Sequence, residues 1–198
     1  MVYIAIICLI LGILSGKWIF NDSILKNITL YTPFILYILM FSVGISVGLN
    51  KSVFSKIKEY HIKILLIPVG TIIATVIGGI IGSLILGIDI RNGAAVASGL
   101  GWYSLSGVMI TDMAGPRLGT IAFLSNLLRE IISFLIIPFV ARRFNKYTAI
   151  APAGATSEDT TLPMLIKFTD EEVVVMAIFN GVICSSVVPL LIKLFLSI

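Results

Sequence analysis

The chain has 198 residues, is 58% hydrophobic and 12% charged, and has a mean hydropathy of +1.10. Soluble domains carry about 25% charged residues, so this chain holds about half the usual share, and its apolar runs are too long and too many for a soluble core. The net charge of +4 comes mostly from short Lys/Arg clusters between those runs, which suits the cytoplasmic loops of a membrane protein and argues against a nucleic-acid face.

In chain order, residues 2–20 form an apolar run with neither a basic leading segment nor an A-x-A cleavage site, and read as a retained span rather than a signal peptide. Further runs of the ~20 residues that a membrane helix needs cover residues 32–49, 62–86, 119–141 and 173–196. Two other stretches are apolar but interrupted. Residues 93–115 contain GLGWYSLSG from Gly99 to Gly107, and residues 150–168 contain APAGATSEDTTLP from Ala151 to Pro163. Gly, Pro, Ser and Thr at this density oppose a continuous helix. Backbone groups freed in lipid must be satisfied by protein or trapped water, so such sequence either lines a cavity or lies outside the bilayer.

The basic residues order these segments. Lys51, Lys56, Lys58 and Lys63 follow the second run, with His61 among them as a surface residue, and Arg142, Arg143 and Lys146 follow the fourth. Excess Lys/Arg marks cytoplasmic loops, so both loops are expected inside, with the third run leaving near Asp89 and Arg91 on the outside. The interrupted stretch 93–115 must then enter and leave from outside, and 150–168 from inside, which places Met1 inside and the C-terminus outside. The expected fold is an all-α membrane protein with about five transmembrane helices and two broken or re-entrant segments. Their opposite orientation gives an inverted repeat of the kind that secondary transporters use to build a site at the membrane midplane. The whole of 1–198 is one transport domain. It comprises two helices and a basic loop (1–58), a helix with the first broken hairpin (59–117), a helix with the second (118–168) and a last helix (169–198).

Acidic groups inside apolar segments carry the strongest chemical signal, since placing one there costs ~2.5–3.5 kcal/mol or more. Glu130 lies in LSNLLREIISF, near the middle of the fourth run, and Asn126 shares its helical face. The pair reads either as a cation- or proton-binding carboxylate with its neighbour or as a structural network with Arg129. Asp159 stands among Thr156, Ser157, Thr160 and Thr161, whose hydroxyl and backbone oxygens suit a small cation such as sodium. The plainer alternative is a loop in which Asp159 caps the helix that follows. Glu158 reads as its solvated neighbour. In the first broken stretch, Trp102, Tyr103, Ser104 and Ser106 surround a helix start whose free N–H groups suit a carboxylate; an interfacial aromatic belt is the alternative for Trp102 and Tyr103. Two cysteines in apolar runs, Cys8 and Cys184, and a single histidine support no disulfide framework and no zinc site. No Ser-His-Asp, HExxH or paired-cysteine arrangement is present, so an enzyme is not expected.

The segments ASGLGWYSLSGVMITDMAGPRLGTIAF, NLLREI and GATSEDTTLP closely resemble the bacterial lysine exporter family, and the resemblance runs from about Leu11 to the end of the chain. It implies export of L-lysine, and of toxic analogues such as thialysine, across the bacterial cytoplasmic membrane. It also implies a role in transport for the acids at Glu130 and Asp159, and a fold akin to the cation/proton antiporters and bile-acid symporters, with two crossing broken helices. The common form of the family has further membrane helices ahead of the matched region. This chain resembles the longer chain of a two-polypeptide form, whose partner is a short N-terminal half.

The expected activity is therefore antiport of lysine against protons or sodium, with no bound cofactor. The lysine ammonium would meet Glu130 and Asp159, and its α-carboxylate the helix start around Trp102. A sodium/proton antiporter without an organic substrate, or a membrane scaffold subunit, are the alternatives. Small residues on the first span (Gly12, Ser15, Gly16) and the second (Ser42, Gly44, Ser46, Gly48) are expected to pack against the short partner or a second copy of the chain.

Overall fold

The computed structural model describes residues 65–197 and, before them, residues 7, 11, 12, 14–20, 24, 27, 31, 34, 38, 41 and 45. The chain divides into two units, Met1–Gly44 and Ile45–Ile198.

In the first unit, residues 7, 11, 12 and 14–18 are helical, in keeping with the first expected span. Ile7, Leu11, Leu14 and Trp18 recur at helical spacing and are exposed, an apolar face suited to lipid or another helix. A side chain added at Gly12 or Gly16 would meet nothing. Residues 34, 38 and 41 are also helical. Cys8, the small residues Ser42, Gly44, Ser46 and Gly48, and the basic loop from Lys51 to Lys63 lie outside the described residues.

The second unit contains α1 (Leu66–Leu86), α2 (Ile90–Ala97), α3 (Tyr103–Ala114), α4 (Pro116–Arg143), α5 (Leu162–Phe168) and α6 (Glu171–Ser197). Two 3-10 turns, Thr148–Ile150 and Gly154–Glu158, lie between α4 and α5. No strand occurs among the described residues. Three of the helices, α1, α4 and α6, are long and apolar enough to cross a membrane, and they coincide with the third, fourth and last runs read from the sequence.

The surface of α1 shows what solvent the fold is built for. Val69, Ile73, Ile77, Ile81 and Ile85 form one exposed stripe. Residues four apart share a helix face, and a stripe this long is an aggregation hazard in water but is solvated by lipid. The opposite side of α1 is made of small residues. A side chain at Gly79 would lie 2.4 Å from the Ala97 Cβ, and one at Gly93 would lie 2.4 Å from the Ser83 Cβ, so α1 and α2 pack backbone to backbone. Asp89 begins α2 by accepting a hydrogen bond from the Arg91 N–H. At the other end of the unit Ile137, Ile150, Leu165, Val173 and Ala177 form one buried core joining α4, the turns, α5 and α6.

Both interrupted stretches are broken in the structure. Between α2 and α3 the chain leaves the helix over residues 98–102, and in the second stretch it runs from residue 150 to residue 161 as turns and 3-10 helix before α5 begins.

Candidate functional site

The two breaks touch. The Ala155 N–H donates to the Leu100 carbonyl at 2.9 Å. Leu100 is fully buried and has φ of +51°, a left-handed conformation that costs a non-glycine residue energy and marks a site worth explaining. Opposite it, Gly154 has φ of +59°, and a Cβ there would lie 2.4 Å from the Leu100 oxygen. Only glycine permits both this backbone conformation and this approach.

Breaking a helix in a membrane frees backbone groups that must find partners. Asparagines supply many of them. From α4, the Asn126 Oδ1 accepts from the Gly101 N–H at 2.8 Å, while its Nδ2 donates to the Val96 and Ala122 carbonyls, each at 2.9 Å. From α6, the Asn180 Nδ2 donates to the Gly154 carbonyl and the Ser157 hydroxyl, each at 2.9 Å. Ser157 in turn donates to the Gly154 and Ala177 carbonyls. Arg129 holds the start of the second break: its Nε donates to the Pro152 carbonyl and its Nη2 to the Ala151 carbonyl, and its Nη1 donates to the Thr75 hydroxyl of α1. Ser133 also donates to Pro152. Thr156 and Thr161 turn their hydroxyls onto the Ala153 and Thr156 carbonyls respectively.

Beside this frame lies a group of acids. Glu130 is 1% exposed, and among the described residues neither of its carboxylate oxygens has a hydrogen-bond partner. The Thr160 hydroxyl, also buried and unpartnered, lies next to it, with Asp159 close enough to feel its charge. Tyr103, at the start of α3, has Glu130 and Asp159 as its charged neighbours and stacks edge-on against Phe123 at 5.3 Å. Asp159 itself is exposed, and its carboxylate accepts from the Thr160 N–H.

Of the residues singled out in the sequence, the structure thus brings Glu130, Asp159, Thr160 and Tyr103 together. Asn126, Thr156, Ser157 and Ser106 belong to the frame, their side chains bonded to backbone; Ser106 donates to the Trp102 carbonyl at 2.9 Å. Trp102 and Ser104 are partly buried at the start of α3, and Trp102 caps it with no side-chain hydrogen bond. Two secondary readings are corrected. Asp159 does not cap α5, whose N-cap is Thr161, because the intervening residues are still turning out of the 3-10 segment. Glu158 is not a solvated neighbour: its Oε1 accepts from Ser185 on α6 at 2.9 Å, and Gly181 lets α6 approach so closely that a Cβ there would lie 2.5 Å from the Glu158 Cβ.

Sequence reasoning missed Asn180, Ser185 and the partners of Arg129. A polar Asn in the run IFNGVICSS was a usable signal; the hydroxyl on Thr75 gave none. Among the described residues no group of His, Cys, Asp and Glu is arranged for a metal ion.

A family profile described as lysine exporter LysO matches residues 6–196. The lysine exporter LysO of Escherichia coli K12 is 38% identical over 173 residues, which is 87% of this chain and 57% of the relative. A provisionally named lysine exporter of Haemophilus influenzae is 37% identical over 196 residues, 97% of this chain and 94% of the relative. The chain therefore spans a little over half the length of the Escherichia coli protein and nearly all of the other. No solved structure matches it at a significant level.

Proposed function

Because the chain belongs to the lysine exporter family, we propose that it forms the transport core of a secondary carrier that exports L-lysine, and analogues such as thialysine, from the bacterial cytoplasm. The observation that carries this reading is Glu130, a buried carboxylate with no hydrogen-bond partner among the described residues, beside Thr160, Asp159 and Tyr103 near the contact of the two broken segments. A carboxylate at such depth is stable when protonated or when a cation lies against it. It can therefore hold a proton in one half of a cycle and the lysine ammonium in the other, which is the minimal device for exchange.

Coupling is needed because moving one net positive charge outward against ~150 mV costs roughly 3.5 kcal/mol. One inward proton per lysine makes the exchange electroneutral and uses the pH difference. A second proton, or sodium held by Asp159 and nearby carbonyl oxygens, adds the voltage. The two breaks, each tied by an asparagine from a long helix, support an inverted-repeat carrier whose breaks enter from opposite faces. Assembly with a short N-terminal-half partner, or with a second copy of the chain, belongs to the same proposal and is supported by the open small-residue positions Gly12 and Gly16.

Uptake of radiolabelled L-lysine into inside-out vesicles under an imposed pH gradient tests the reading. Gradient-driven, thialysine-sensitive uptake is expected. Sodium/proton exchange that ignores lysine would replace it with the antiporter alternative.

A further inference from the structure

The carrier must also hold the substrate's α-carboxylate. The start of α3 is poorly suited, since Tyr103 there sits beside two acids, Glu130 and Asp159, that would repel it. The opposite charge lies one residue earlier on α4. Arg129 lines a cavity of about 350 Å³ between α1, α2 and α4, together with Asn92, Ser125, Gly78 and Gly82. The five guanidinium N–H groups make three hydrogen bonds, to Thr75, Ala151 and Pro152, which leaves two donors free. Among the described residues the only ion pairs are those of Lys146, so no carboxylate neutralises Arg129. An unpaired cation at this depth is expensive and calls for an anion.

The glycines of the cavity wall point the same way. Glycine weakens a helix interior, and at Gly79 the contact with α2 explains its presence. At Gly78 and Gly82 an added Cβ would meet nothing within 4 Å. Among the described residues nothing in the packing requires them to be glycine, and what their missing side chains do is keep the cavity open.

We propose that this cavity is the α-carboxylate subsite of the carrier, with Arg129 as the group that binds the carboxylate. The inference rests on the amino-acid substrate proposed above. Consecutive positions on a helix point about 100° apart, so Arg129 lines this cavity while Glu130 lies outside its wall, and the two supply opposite charges on one helix for a substrate that carries both.

The test is displacement of radiolabelled L-lysine from the full chain in nanodiscs by unlabelled L-lysine or by cadaverine, which is lysine without its carboxylate. Lysine should bind about tenfold to a hundredfold more tightly than cadaverine, the range for losing one hydrogen-bonded charge contact. Arg129→Gln should bring lysine down to the cadaverine level and weaken cadaverine far less than lysine. Because Arg129 also holds the second break, Gly82→Val provides a separate check: it adds a side chain to the cavity wall at a position where a Cβ meets nothing within 4 Å, keeps the guanidinium, and should produce the same selective loss. Equal binding of lysine and cadaverine by the wild-type chain would overturn this subsite while leaving lysine as the substrate. Equal weakening of both ligands in Arg129→Gln and Gly82→Val would overturn it too, showing a purely structural arginine and a groove that seats another helix. Absence of lysine binding in the wild type would remove the substrate reading and the subsite together.

Discussion

Leu100 and Ala155, 55 positions apart in the sequence, are joined by a backbone hydrogen bond of 2.9 Å at the point where the two interrupted segments touch. The bond forms only because Leu100 accepts a left-handed backbone and Gly154 offers no side chain in the path of its carbonyl. Gly154→Ala should therefore destabilise the protein by at least ~1–2 kcal/mol from the backbone conformation alone, with more from the contact with the Leu100 oxygen. A fall in melting temperature together with lost lysine transport is the expected result. A variant as stable as wild type would mean that the breaks do not meet in this way.

The paired asparagines make separable predictions. Asn126→Ala leaves the Gly101 N–H unsatisfied in the interior and should cost about 1–3 kcal/mol, with Asn180→Ala milder because the Gly154 carbonyl keeps the Ser157 hydroxyl. Hydrogen exchange locates the damage. The first variant should speed exchange at Gly101, and the second around residues 154–157. Identical exchange maps for the two would show that the breaks do not have independent anchors.

Much of this was legible in the sequence, and the limits are physical. GLGWYSLSG and APAGATSEDTTLP announced broken helices because Gly, Pro and hydroxyl residues oppose helical continuity whatever surrounds them. Glu130 announced itself because an acid in an apolar run is costly. What could not be read was pairing at a distance: that Asn180 closes a break 26 residues earlier, that Arg129 serves carbonyls of the second break and a threonine of α1, or that Glu158 rather than Asp159 is bonded to α6. Those relations depend on how the helices cross, which no local pattern encodes.

Glu130→Gln separates function from stability. Removing a buried charge that has no hydrogen-bond partner among the described residues should leave the melting temperature unchanged or raise it, while lysine transport disappears. Asp159→Asn should also abolish transport. Retained transport in both variants, or a large loss of stability in Glu130→Gln, would favour a structural role for these acids.

Outside the membrane, Asp170 ties the start of α6 to the end of α4. Its carboxylate accepts from the Val173 N–H at 3.1 Å and pairs with Lys146, whose hydrogen bond holds Asp170 below the usual carboxylate range. A lowered carboxylate stabilises the folded protein above its ordinary titration range, and the contribution is lost as pH falls through the folded-state value. Asp170→Ala should thus lower the melting temperature slightly at neutral pH, with the difference shrinking under acidic conditions. A difference that grows on acidification would contradict the pairing.

The most direct test of the central claim is lysine-dependent proton movement in proteoliposomes, followed with an internal pH dye while L-lysine is added on one side. Lysine entering the vesicle should drive protons out, cadaverine should do so far less well, and Glu130→Gln should abolish the signal in a protein that remains inserted. Lysine movement of equal rate in Glu130→Gln, or proton movement indifferent to lysine, would contradict the claim.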